Sequence, residues 1–285
     1  MPIETLENEQ LKIQVNSFGA ELWSIQNKNN NTHSELLWQG DEAFWPRRAP
    51  ILFPIVGRLI DDAYTLNGKF HNLRQHGFAR ERDFVLTHKS NTALVYQLLP
   101  DVRSLRTYPF NFEFNVRYEL NGSELKQTFE VVNHSTEIMP SSFGAHPAFN
   151  TPAIEKAELV FEKTEDAFSD RVVEGIREGV HLTIFNKNKI ALNKHSFDDD
   201  ALIFTALKSS FVDLFYEDKA VVRVSLSDFT HLGIWAKPGA PFVCIEPWCG
   251  VADKHDHDGN ILTKEGIFLL KPGEHKEATM CIEVL

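Results

Sequence analysis

The chain has 285 residues, 42% hydrophobic and 24% charged, an ordinary globular composition with enough apolar material for a large core. Asp and Glu outnumber Lys and Arg by 40 to 29, giving a formal net charge of −11, and no stretch interleaves basic with aromatic residues, so nucleic acid is not an expected partner. No apolar run approaches the roughly 20 residues that span a bilayer, and MPIETLENEQ lacks the regions of a signal peptide, so a cytoplasmic chain without membrane association is expected.

The dominant hydrophobic period is two. Asn67-Gly68, between DAYTL and KFHNL, reads as a tight hairpin turn. FEFNVRYEL puts Phe112, Phe114, Val116, Tyr118 and Leu120 on one face and Glu113, Asn115, Arg117 and Glu119 on the other. Asn121-Gly122 then predicts a second hairpin, and SELKQTFEVV returns at strand spacing through Leu125, Phe129 and Val131. Further strands are expected at KIALN, FVDLFYE, AVVRVSLS, HLGIWAK, FVCIEPW and KEATMCIEVL, while DALIFTALKSS (residues 200–210) carries a turn or two of helical stripe. Many short strands without alternating helices predict an all-β, antiparallel sandwich or barrel. No repeat or linker interrupts the sequence, so residues 1–285 read as a single domain.

Five segments offer chemistry. In PRRAPILFPIVGRL, Arg47 and Arg48 precede an apolar run and Arg58 follows it; each is a candidate for pairing with a carboxylate. RQHGFAR places His76 beside Gly77, with Arg74 and Arg80 near, either a solvated turn or a substrate-binding loop. SSFGAHPAFN holds His146 in apolar surroundings, as a packed core histidine or as a proton carrier. In SFDDDALIF, Asp200 abuts the apolar run and is the acid best placed to turn inward. FVCIEPWCG carries Glu246 on a strand that reads as buried on both faces. A carboxylate there must be paired, hydrogen-bonded or protonated. Pro247 should mark the strand's exit, since it cannot extend a ladder, and desolvation should raise the Glu246 pKa towards that of a general base.

Two patterns carry less. KHDHDGNILTKE aligns Asp256, Asp258, Gly259 and Glu265 with a calcium loop, but Lys254 occupies the first ligand position and no helices flank it. Cys244, Cys249 and Cys281 are odd in number and lack metal-ligand spacing, which suits small core side chains in a reducing compartment.

In order along the chain, FGAELWSI, FPIVGRL, LNGKFHNLRQHGFAR, SSFGAHPAFN, FDDDALIF, GIWAKPGAPFVCIEPWCGVAD and KEGIFLLKPGE resemble the aldose 1-epimerase (galactose mutarotase) family, nearest its lactose-operon-associated branch. The resemblance implies a large antiparallel β-sandwich with few short helices and sugar bound in an open cleft. It implies that Glu246 is the base at the C1 hydroxyl and His146 the acid at the ring oxygen, starting as carboxylate and imidazolium. It further implies that His76 holds the substrate and that Arg58 and Asp200 bind sugar hydroxyls. No cofactor or metal is implied, and the expected partner is a small-molecule aldohexose, acted on by a monomer or homodimer. QHGFAR is nearer to the related hexose-6-phosphate 1-epimerases, in which arginines hold the phosphate; Arg48 and Arg80 are the candidates for that role. A non-catalytic carbohydrate-binding protein on the same fold is the rival reading.

Overall fold

The computed structural model describes residues 2–30 and 34–285. Its frame is two large antiparallel sheets. The nine-stranded sheet runs in the spatial order 189–191, 157–161, 211–216, 219–225, 275–284, 124–133, 112–121, 93–98 and 85–89. The second sheet runs from Phe143–Gly144 through Phe242–Cys249, His231–Trp235, Leu202–Thr205 and Ser169–Val173 to Ile176–Leu182, with Ala148–Asn150 also on Phe242–Cys249. A three-stranded sheet over residues 3–27 and two hairpin-sized pairs complete the strands.

The alternation read from FEFNVRYEL is the inner face of the larger sheet. Phe112, Phe114, Val116, Tyr118 and Leu120 are all buried, and their polar neighbours are not. Phe114 and Phe129 meet Phe143 of the second sheet at centroid distances of 6.2 and 5.7 Å, which joins the two layers. Phe143 points into this core, so Gly144 and the next even-numbered residues point to the opposite face. That second face carries the candidate site.

Three local expectations need correction. Leu66 pairs with Lys69 around Asn67-Gly68, both with positive φ, as foreseen. In the next hairpin, however, Asn121 pairs with Glu124, so the two-residue loop is Gly122-Ser123 and Asn121 ends the strand. The apparent helix at residues 200–210 is instead the strand Leu202–Thr205, because Leu202, Ile203 and Phe204 are consecutively buried between two neighbouring strands. Among the described residues there is one α-helix, Val102–Thr107, begun by an Asp101–Ser104 capping box. Finally, the strand bearing Glu246 does not exit at Pro247. It runs on to Cys249, with every residue buried.

Gly233, opposite Glu246 on the adjacent strand, lies under the Trp248 ring; a Cβ there would stand 2.4 Å from it. Gly233→Ala should therefore destabilise the protein by about 1–3 kcal/mol through overpacking. A urea midpoint indistinguishable from wild type would refute this packing argument.

Candidate active site

A cleft of about 520 Å³ opens on the second sheet's outer face. Its walls include His76, Arg80, His146, Asp200 and Glu246, five of the seven residues to which the family resemblance gives a role, together with Trp45, Trp235, Trp248, Gln75 and Lys237.

Strand register brings the two central residues together. Gly144 pairs with Trp248 and Ala148 with Cys244 on either side of a break in the flanking strand. Continuing that register across the break sets His146 opposite Glu246, although 100 residues of chain separate them. Directly opposed residues in a non-hydrogen-bonded antiparallel pair bring their side chains closest. His146 Nε2 accordingly lies 3.1 Å from Glu246 Oε2.

Both groups are buried, at 8% and 1% exposure, and burial opposes charge on each. Desolvation, with the positive charge of Arg80 and then Arg47, lowers the His146 pKa to about 3. Desolvation and then the nearby Asp200 carboxylate push Glu246 well above the carboxylate range. The expected carboxylate and imidazolium are therefore not the forms this environment favours; imidazole and carboxylic acid are. Trp45 stacks on the His146 ring at 5.0 Å and 27°, and Trp235 meets it edge-on at 6.0 Å and 79°.

His76 stands edge-on to His146 at 5.8 Å. It has φ 64° and is followed by Gly77 at φ 66°, whose missing Cβ would fall 2.3 Å from the Phe53 carbonyl oxygen. This left-handed pair makes the tight turn that carries the ring to the cleft. Gly57 N–H donates to His76 Nδ1 at 3.1 Å, and His76 N–H donates to Gly57 O at 2.9 Å. An accepting Nδ1 must be unprotonated, so the neutral ring carries its proton on Nε2. Burial, then the charge of Arg80, holds the His76 pKa well below its ordinary value, in accord with that tautomer.

Asp200, at φ 75°, accepts Ala201 N–H at 2.9 Å, and burial raises its pKa. Arg80 donates to the Gln75 carbonyl at 2.8 Å; burial lowers its pKa to about 10, leaving it charged at neutrality.

Two sequence candidates stand elsewhere. The Arg48 guanidinium lies 3.9 Å over the Trp23 ring and donates to Trp23 O and Gln39 Oε1. Arg58 pairs with Asp62 at 3.1 Å and donates to Glu174 O at 2.8 Å. Its stem packs behind Gly175, which does line the cleft, so Arg58 shapes the wall from outside. Arg47 pairs with Glu81 at 3.3 Å. The remaining polar segments have structural partners. In the calcium-like loop, Glu265 pairs with buried Arg177 at 2.9 Å and with Lys254 at 3.0 Å. Lys264 pairs with Asp253 at 2.7 Å. The three cysteines are free; Cys244 and Cys249 are buried, and burial raises all three thiol pKa values.

Sequence reasoning passed over Trp45, Trp235 and Lys237. Trp45 immediately precedes PRRAP, and Trp235 and Lys237 share GIWAKPGAP with its turn residues. Large aromatics beside Pro/Gly turns were the available signal, since loops carry binding residues.

The family model for aldose 1-epimerase matches residues 2–283. The chain is 34% identical to the plasmid-encoded protein LacX of Lactococcus lactis subsp. lactis and 35% identical to the chromosomal form, each match covering 92% of both chains. Its fold superposes on a galactose mutarotase related enzyme from Lactobacillus acidophilus with a TM-score of 0.95 and 34% identity, covering 100% of this chain and 97% of that one. A galactose mutarotase-like protein from Lactobacillus casei gives a TM-score of 0.93 at 29% identity, with both chains wholly covered. With a matching family model over nearly its whole length, relatives above 30% identity and this fold, the chain belongs to the aldose 1-epimerase family and is an isomerase of the mutarotase kind.

Proposed function

We propose that the protein interconverts the α and β anomers of an aldohexose by acid–base opening and closing of the sugar ring. The observation that carries this reading is the 3.1 Å apposition of His146 Nε2 and Glu246 Oε2 on a cleft wall. The chemistry requires one proton on the pair. Passing it from Glu246 to His146 as the sugar enters yields the carboxylate and imidazolium that ring opening uses. Glu246 then takes the C1 hydroxyl proton while His146 protonates the ring oxygen as the C1–O5 bond breaks. The open-chain aldehyde rotates about its C1–C2 bond. On closure the C5 hydroxyl attacks the other carbonyl face; His146 removes its proton and Glu246 returns one to O1. The pair ends as it began, each carrier contributing about 10²–10⁴-fold. His76 Nε2–H, Asp200 and Arg80 hold sugar oxygens, and Trp45 and Trp235 face the sugar's C–H surface.

A second reading within the family is a 6-phosphorylated hexose. Arg80 and Lys237 on the cleft wall favour it, in place of the Arg48–Arg80 pair expected from the sequence. Polarimetry or NMR anomer exchange on freshly dissolved glucose, galactose and their 6-phosphates tests both. The protein should accelerate relaxation of at least one. Under the phosphate reading, Arg80→Ala and Lys237→Ala weaken phosphorylated substrates at least tenfold more than free sugars. Tight sugar binding with no acceleration of any substrate would refute catalysis and support a carbohydrate-binding protein.

A further inference from the structure

Each of the two proposed proton carriers is followed directly by proline: His146-Pro147 and Glu246-Pro247. The register that opposes His146 to Glu246 also opposes Ala145 to Pro247 and Pro147 to Ile245. In a complete antiparallel ladder, the hydrogen-bonded pairs on either side would each exchange two bonds. Here Ala145 N–H donates to Pro247 O at 3.1 Å, and Ile245 N–H donates to Pro147 O at 3.2 Å. The reciprocal bonds would need amide protons from Pro247 and Pro147, which proline lacks. The His146–Glu246 step is thus flanked by two hydrogen bonds in place of four, with one lost from each strand. On its other edge Pro247 lies opposite Leu232 at a non-hydrogen-bonded position of the alternation, so that ladder loses nothing.

We propose that Pro147 and Pro247 are positioning residues that keep the strand pair half-bonded at the His146–Glu246 step, so that the two side chains can part to take the anomeric and ring oxygens between them. This rests on the mutarotase reading above. His146 and Glu246 touch, yet in the reaction each must meet a different oxygen of one carbon. Four ladder bonds would clamp the strands at this step, whereas two allow a local splay. The prolines also bias the preceding His146 and Glu246 towards extended backbone, so the looser step does not let either side chain swing off the face.

Alanine fits extended backbone and restores each missing amide proton beside a carbonyl, Ala145 O or Ile245 O. The test uses Pro147→Ala, Pro247→Ala and the double variant. Hydrogen exchange is read at amides 147 and 247, with urea stability and kcat/KM for anomer exchange. Expected are protected new amides, stability equal to or above wild type, and kcat/KM about tenfold lower in the double variant, less in each single one. A gain in stability with a loss of kcat/KM is the opposite of what a merely structural proline would give. A double variant within twofold of wild-type kcat/KM overturns the inference, as do freely exchanging new amides or activity falling in step with stability. A double variant that fails to fold overturns it too. If wild type itself accelerates no hexose, the mutarotase reading fails and this inference with it; an active wild type matched by the double variant overturns this inference alone.

Discussion

Glu246→Gln should remove most of the catalysis and leave the protein at least as stable as wild type. The amide matches the carboxyl in shape but cannot accept the C1 hydroxyl proton, so kcat should fall about 10²–10⁴-fold. The stability half follows from burial. Glu246 is 1% exposed, and desolvation, then the Asp200 charge, raise its folded pKa well above 4.5. A group with a raised folded pKa contributes stability that is full below its unfolded value and is lost as pH rises through the folded one. Glutamine does not titrate, so this loss disappears, and the variant's advantage over wild type should grow as pH rises above 4.5. Thermal unfolding of both proteins across that range, beside polarimetry, measures each half. Retention of more than a tenth of wild-type kcat would remove Glu246 from the proton transfer. A variant melting below wild type at pH 8 would show that Glu246 is held as a well-paired carboxylate.

Much of this arrangement is legible in the sequence because a strand writes its two faces into alternate residues. FEFNVRYEL and its return strand are an inner sheet face, and FVCI reads as buried on both sides. Glu246 stands out by being charged in such a run, and its burial bears out that inference. His146 is harder. Locally it suits a core histidine, and only the strand register, a long-range pairing, sets it against Glu246. The same limit explains the misreadings. Pro247 was expected to end its strand, since the sequence does not say which neighbour its missing amide would face. Here that neighbour is Ala145, in a segment whose own ladder is broken. Leu202–Thr205 resembles a helix because consecutive apolar residues have no period of their own. The arginines mislead for another reason. A guanidinium reaches far, and Arg48 and Arg58 have settled on Trp23 and Asp62 while Arg80 reaches the cleft.

His146→Asn should likewise lower kcat at least about 100-fold, and the wild-type pH profile provides a second test of the same residue. Desolvation, then the Arg80 charge, depresses the His146 pKa from 6.5 to about 3, while Glu246 is displaced upward. The two groups touch and titrate as a unit, so activity follows the form of the pair that holds one proton. That form extends from about pH 3 up to the raised pKa of Glu246. Wild-type kcat/KM should therefore show no acid limb near 6.5 and should fall on the alkaline side as the pair loses its last proton. In stability the sign is opposite to that of Glu246. The depressed histidine contributes stability that is full above 6.5 and declines as pH falls towards about 3, so His146→Asn should flatten the acid side of the wild-type curve. An acid limb with a midpoint between pH 6 and 7 would mean that His146 titrates like a solvated imidazole, contrary to its burial under Trp45. A variant retaining a tenth of wild-type turnover would leave ring-oxygen protonation to another group, with His76 Nε2–H, on a ring 5.8 Å from that of His146, the histidine donor on the cleft wall.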